Sequence, residues 1–228
     1  MFERLFSSIG IGSTRVNTVL FQDKIERNKE VQGEVHVFGG KAAQTISEIY
    51  IHVDTEFHRF DDEMTEFRDV TEPILEIKIT EPFVIQPNEE KKIPFSFTLP
   101  YYTPVTFKEQ TIHIQTELDI NYFNHPVETH DFEVIDPLID LLNQYLIERG
   151  YYHNFKSGQC RYKLPTESNP THCLQAFHLT NDQGKEVYFV GNDQNIHLYV
   201  QENNHLKHYE IKRDLSIDEQ LLTLPVAI

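Results

Sequence analysis

The sequence predicts a mainly β protein with two β-rich modules joined by one short helix. Three observations carry this. Five stretches before residue 135 alternate apolar and polar residues with period two, and turn residues separate them. One helical stripe follows. The chain then returns to short strands between Asn- and Gly-rich turns.

In order, Val31, Gly33, Val35 and Val37 alternate with Gln32, Glu34, His36 and Phe38. Ile49, Ile51 and Val53 repeat the pattern, as do Leu75, Ile77 and Ile79. Ile93, Phe95, Phe97 and Leu99 form a fourth strand, and Ile112 to Ile120 a fifth. Period two means one buried and one wetter face. Pro94 donates nothing to a ladder, which places its strand at an edge or at its start. Gly39-Gly40, Pro87-Asn88, Pro100 and Pro104 mark turns, so a β-sandwich is expected.

Asp136 followed by Pro137 reads as an N-cap and N1 pair. Leu138, Leu141, Leu142, Tyr145 and Leu146 make a helical stripe, and Gly150 suits the left-handed residue after it. The expected division is residues 1–135, a connecting helix at 136–150, and a β-rich domain at 151–228.

Cys173–Thr180, Glu186–Val190, Ile196–Val200 and Leu206–Ile211 read as an antiparallel meander. A two-residue turn at Asn203-Asn204 sets Leu198 against Tyr209. A two-residue turn at Asn192-Asp193 sets Phe189 against Ile196, and a five-residue NDQGK loop sets Leu179 against Val187. The open face then carries the row His178, Tyr188, His197, Glu210. Ser216 with Glu219 reads as a capping box for a short last helix. Near the N-terminus, Phe2, Leu5, Phe6 and Ile9 form a stripe without a basic face. It suits docking on the protein itself better than on a membrane.

Lys plus Arg is 20 and Asp plus Glu is 36, a net charge of -16. Such a surface repels phosphate backbones, and the only adjacent basic pairs are Lys91-Lys92 and Lys212-Arg213, so no nucleic-acid partner is expected. No apolar run reaches the ~18 residues of a membrane span, so none is expected. The N-terminus lacks signal-peptide features, and two cysteines make no disulfide framework. A cytoplasmic protein with free thiols is therefore the expectation. Cys160 and Cys173 flank a Pro-containing loop, and whether they meet stays open.

Residues 54–72 hold eight acids against Arg59 and Arg68. This is either a solvated loop or an electrostatic handle for a basic partner, with Asp61, Asp62 and Glu63 as the candidate partner-binding residues. Gly10-Ile11-Gly12 lacks the third glycine of a dinucleotide fingerprint, because Arg15 stands there, and a strand follows. No G-x-S-x-G, H-E-x-x-H or C-x-x-C occurs. Twelve histidines invite a metal hypothesis, yet His178 and His197 would lie ~10 Å apart across two strands. No metal ligands, cofactor or catalytic residues are assigned. A metal-dependent enzyme using histidines of the C-terminal sheet is the alternative reading.

The segments IGIGSTRVNTVL (9–20), EVQGEVHVFGGKAAQTI (30–46), FVIQPNEEKKIPFSFTLPYYTPVT (83–106) and TELDI (116–120) resemble the sporulation-control family of arrestin-like bacterial proteins called SpoOM. The resemblance covers about 130 residues and stops near Leu142. It implies an arrestin-type sandwich, no catalysis, and a regulatory scaffold that binds other proteins at the onset of sporulation in a Gram-positive bacterium.

Overall fold

A computed structural model describes residues 13–60, 67–120, 126–202, 205–216, 219–221 and 224. In chain order the elements are β1 (Arg15–Leu20), β2 (Lys24–Glu26), β3 (Glu30–Phe38), β4 (Gln44–Ile46), β5 (Glu48–Phe60) and β6 (Phe67–Lys78). Next come β7 (Phe83–Ile85), β8 (Glu90–Thr98), β9 (Thr111–Asp119), β10 (Val127–Asp131), β11 (Glu133–Ile135) and the helix α1 (Pro137–Ile147). The last six strands are β12 (Tyr151–His153), β13 (Gln159–Tyr162), β14 (Cys173–Asn181), β15 (Glu186–Gly191), β16 (Asn195–Glu202) and β17 (His205–Lys212). The protein is mainly β, as its periodicity predicts. Two compact units form. The first gathers residues up to Thr55 with Pro73–Pro100 and Ile112–Glu133, and the second Glu56–Glu72, Tyr101–Thr111 and everything from Val134.

In the first unit β1-β3-β8 form one sheet, and β10-β9-β5-β6 order a second. Val35 and Val37 of β3, Ile49, Ile51 and Val53 of β5, and Ile114 and Leu118 of β9 are fully buried. Burial of one such side chain contributes about 1.5–3 kcal/mol. Between β1 and β9, Thr18 and Thr116 join hydroxyls at 2.6 Å, so a buried polar pair satisfies itself. β8 ends its sheet, where Pro94 needs no outward donor. Two glycines permit close approach. A Cβ on Gly33 would lie 2.5 Å from the Val19 carbonyl oxygen and 2.6 Å from the Phe95 ring, and one on Gly39 would collide with the Gln86 carbonyl.

Asp136 caps α1, accepting from the Leu138 N–H at 3.1 Å and the Ile139 N–H at 3.4 Å. The buried arc is Ile139, Leu142 and Leu146, whereas Leu141 is 44% exposed. The face is thus rotated from the predicted stripe, because α1 is a single short helix that buries a narrow arc. Gly150 is left-handed, at φ 81°, as expected. Glu219–Leu221 are helical, while 217–218 of the predicted capping box, and the stripe from Phe2 to Ile9, lie outside the described residues.

In the second unit the sheet runs β12-β14-β15-β16-β17, with β13 also on β14. Phe177, Leu179, Val187, Phe189, Ile196, Leu198 and Val200 fill one face, none more than 1% exposed. Phe177 opposes Phe189 and Leu179 opposes Val187, as predicted, and Leu198 opposes Tyr209. The middle register differs. Phe189 opposes Leu198 instead of Ile196, a slip of two residues. The cause is the turn. The Asn192 side-chain oxygen accepts from the Gln194 N–H at 2.9 Å and the Asn195 N–H at 2.8 Å, closing a longer loop than a two-residue turn. A slip of two preserves which face each side chain takes, so the same residues form the core in either register.

Candidate interaction surface

The slip changes the open face of this sheet. The predicted row His178, Tyr188, His197, Glu210 becomes His178, Tyr188, Tyr199, His208, with His197 beside His208. His178 stacks on Tyr188 with ring centres 5.4 Å apart, Tyr188 on Tyr199 at 4.6 Å, Tyr199 on His208 at 4.8 Å, and His208 on His197 at 5.3 Å. Strand spacing sets these distances. Because the flat faces are spent on one another, the row presents ring edges, the tyrosine hydroxyls among them, in place of open ring faces. It suits hydrogen bonding and offers no stacking platform for bases.

Two members of the row, His178 and Tyr188, have shifted titrations. Burial, helped by Arg161 and Lys156, lowers the His178 pKa to about 4. Its neutral ring then accepts from the Arg161 guanidinium at 2.7 Å. Burial and the neighbouring Tyr199 raise the Tyr188 pKa, which keeps its hydroxyl a donor. At the other end His197 Nδ1 lies 3.1 Å from His208 Nε2, and Asn192 Nδ2 lies 3.2 Å from His197 Nε2.

Beneath the row, Ser157 and His153 form a hydrogen-bonded pair at 2.7 Å. The spacing resembles a nucleophile and base, but Ser157 is 1% exposed and its Oγ also accepts from the His178 N–H at 2.9 Å. Burial, then Lys108, lowers the His153 pKa to about 4. A hydroxyl sealed in this way holds β12 to β14 and cannot reach a substrate. Among the described residues no group of three or more His, Cys, Asp or Glu is placed to hold a metal ion.

Two features of this unit correct or extend the sequence reading. Cys160 and Cys173 are not free thiols; they form a disulfide. β13, absent from the periodicity reading, pairs Tyr162 with Cys173 and Cys160 with Gln175, which sets the two cysteines diagonally on one face, their Cα atoms 4.9 Å apart. Val70 packs against them, and Glu72 accepts from the His172 N–H at 2.7 Å. The second feature is a buried ion pair. The Arg213 guanidinium grips the Asp136 carboxylate with both nitrogens, at 3.0 and 2.8 Å, and the Tyr101 hydroxyl donates to it at 2.9 Å. Arg213 also lies over the Tyr101 ring, 4.6 Å from its centre. The cap signature marked Asp136 in the sequence; nothing local marked Arg213 or Tyr101. The candidate residues Asp61, Asp62 and Glu63 lie outside the described residues.

Residues 2–140 match the family model described as SpoOM protein. The chain belongs to the SpoOM protein family. A relative from Bacillus subtilis (strain 168), the sporulation-control protein Spo0M, is 40% identical over 119 residues. That match takes in 52% of this SpoOM chain and 45% of the relative, so the aligned part spans about half of each protein. The crystal structure of Spo0M from Bacillus subtilis superimposes with a TM-score of 0.75 at 24% identity, over 92% of this chain and 94% of that one. The shared fold therefore extends beyond Leu142, where motif resemblance stops. An arrestin-like sandwich is compatible with this architecture. No helix among the described residues is long and apolar enough to cross a membrane.

Proposed function

We propose that this SpoOM protein is a non-enzymatic regulatory scaffold that binds other proteins in the control of sporulation in a Gram-positive bacterium. The observation that carries the reading is the 40% identity to a sporulation-control protein over 119 residues. The open sheet face supports it, since its residues are arranged to hydrogen-bond a partner and its buried Ser157–His153 pair is closed to substrate. The working division is 1–135, 136–150 and 151–228, with the acidic stretch around Asp61, Asp62 and Glu63 attracting a basic protein. The net charge of -16 argues against nucleic acid as the partner. A cytoplasmic location belongs to the same proposal, and the Cys160–Cys173 disulfide makes it testable, because reducing compartments disfavour such bonds.

The test is complementation. This chain is expressed in Bacillus subtilis lacking its own Spo0M, and spore yield and timing are scored. Restored control is the expected result. Stable, folded protein without any effect on sporulation would count against the proposal.

A further inference from the structure

β12 and β13 follow one another along the same side of β14. His153 faces Leu179, Gln159 faces Ala176 and Tyr162 faces Cys173. Between the two strands, Asn154 to Gly158 form a loop with fixed ends. The Asn154 N–H donates to the His178 carbonyl at 3.0 Å, and the Gly158 N–H to the Ala176 carbonyl at 2.8 Å. Farther along, β13 is held by the Cys160–Cys173 disulfide and by the Lys163 N–H, which donates to the His172 carbonyl at 2.9 Å. From His178 to His172 this edge runs for about 20 Å. Its backbone is fixed, yet it holds apolar side chains in water. Among the described residues ten large apolar or aromatic side chains are exposed, and four of them, Tyr152, Phe155, Tyr162 and Leu164, lie on this edge. Phe155 at 63% and Leu164 at 72% are the most exposed of the ten. Such clustering marks an interaction surface, whereas exposed apolar residues scattered singly do not.

The same edge is cationic in an acidic chain. From Arg149 to Thr166 the sequence holds four cations, Arg149, Lys156, Arg161 and Lys163, and no Asp or Glu, in a protein of net charge -16. Lys156 follows Phe155 and Lys163 precedes Leu164, so each apolar tip has a cation beside it. Arg161 hydrogen-bonds the uncharged His178 ring, and among the described residues no carboxylate lies within ion-pair distance of Arg161 or Lys163. Lys108, followed by Glu109, donates to the Asn154 carbonyl at 3.1 Å and braces the loop without adding net charge. An acidic peptide would use the cations alone and leave Phe155 and Leu164 in water. An apolar partner would leave the cations uncompensated. A bilayer with anionic headgroups offers hydrocarbon beneath negative charge along the whole edge. We propose that the edge formed by β12 and β13 binds an anionic lipid surface. Phe155 and Leu164 enter the headgroup boundary, and Lys156, Arg161 and Lys163 meet the lipid phosphates. At physiological salt, charges beyond ~8 Å are largely screened, so these cations and not the net charge of the chain meet the headgroups. The contact gives the protein a location and stands independently of the protein-binding reading above.

The test uses the full chain and two kinds of vesicle, phosphatidylcholine alone and phosphatidylcholine mixed with phosphatidylglycerol. Binding is read by co-sedimentation. The chain contains no Trp, so Phe155→Trp supplies a single fluorescent reporter on the edge, and Leu206→Trp supplies one on exposed β17 as a control. The protein is expected to sediment with the phosphatidylglycerol vesicles and not with phosphatidylcholine alone. The emission of Phe155→Trp should shift to the blue on binding, and that of Leu206→Trp should not. Phe155→Ser with Leu164→Ser removes the apolar tips, and Lys156→Glu with Lys163→Glu reverses the charge. Each double variant should weaken vesicle binding about tenfold or more, whereas Leu206→Ser should leave it unchanged. Equal binding to both vesicles, no binding to either, or a double variant that binds like wild type would overturn the proposal. So would a Phe155→Trp emission that stays put while the protein sediments. A blue shift of that reporter with soluble polyglutamate in place of vesicles would overturn it too, and would assign the edge to an acidic protein. The two reporters and the vesicle comparison keep the test valid even if a double variant fails to fold.

Discussion

Removing one partner of the Asp136–Arg213 pair should destabilise the second unit more than any surface change. Asp136 is 3% exposed and accepts from Arg213, Tyr101 and two N–H groups at the start of α1. Breaking a buried pair by deleting one member costs about 3–5 kcal/mol, because the other charge stays buried. Arg213→Leu leaves the carboxylate with Tyr101 and the helix N-terminus, whose dipole favours an anion. Its cost should fall at or just below that range, about 2–3 kcal/mol. Asp136→Asn keeps the cap but turns a donor towards Arg213, which is 17% exposed, so about 3 kcal/mol is expected. Asp136→Ala also loses the cap and should cost about 1 kcal/mol more. The double change Asp136→Asn with Arg213→Leu should cost less than the two single changes together, with a coupling of about 1–3 kcal/mol. Urea unfolding of the full chain followed by circular dichroism reads these values from the transition of the second unit. Additive costs, or single changes within about 0.5 kcal/mol of wild type, the range of surface substitutions, would refute the reasoning.

Three further outcomes follow from packing and titration. Phe97→Ala in β8 should cost about 3–5 kcal/mol and a change at exposed Ser96 under about 1 kcal/mol, by thermal or urea unfolding; equal costs would contradict the buried and wet faces of β8. Reducing the disulfide, which spans 13 positions in sequence, should lower stability by about 3 kcal/mol and convert a protein inert to iodoacetamide into one that takes two labels by mass. Two labels without reductant, on protein taken from cytoplasm, would show that the thiols are free there. His153 and His178 are both lowered to about 4 from an ordinary value near 6.5, so the unfolded chain binds protons first. Their contribution is complete above pH ~6.5 and is lost as pH falls towards 4, by about 1–2 kcal/mol each after allowing for solvent screening. A His153→Phe and His178→Phe protein with the same acid slope as wild type would contradict this.

Much of the architecture was legible in the sequence because alternation reports burial directly. Val35, Ile51, Phe97 and Ile114 all lie where period two put them. The helix was legible from its ends, Asp136 and Gly150, but its buried arc was not, since tertiary contact selects the arc from a helix carrying apolar residues on several sides. The open row of the second sheet was half legible. The pairing of His178 with Tyr188 follows from the NDQGK loop, whereas Tyr199 and His208 depend on how Asn192 folds its own turn, which composition alone does not set. The Cys160–Cys173 bond and the Arg213–Asp136 pair needed a strand and a return of the chain that leave no periodic trace, because β13 has four residues. The SpoOM motifs, by contrast, were plain as short contiguous blocks, and residues 2–140 carry them.

The proposed role of this SpoOM protein is to hold other proteins, with charge guiding the encounter. The most direct measurement is a pull-down from sporulating cells at two salt concentrations, with wild type and with Asp61, Asp62 and Glu63 replaced by Ser. Attraction between exposed charges fades above ~0.15 M salt, where the Debye length falls below ~8 Å. The account predicts a reproducible protein partner whose retention drops with salt and drops again with the triple substitution, while the fold and its melting temperature stay unchanged. Absence of any specific partner, or retention indifferent to both salt and substitution, would contradict it.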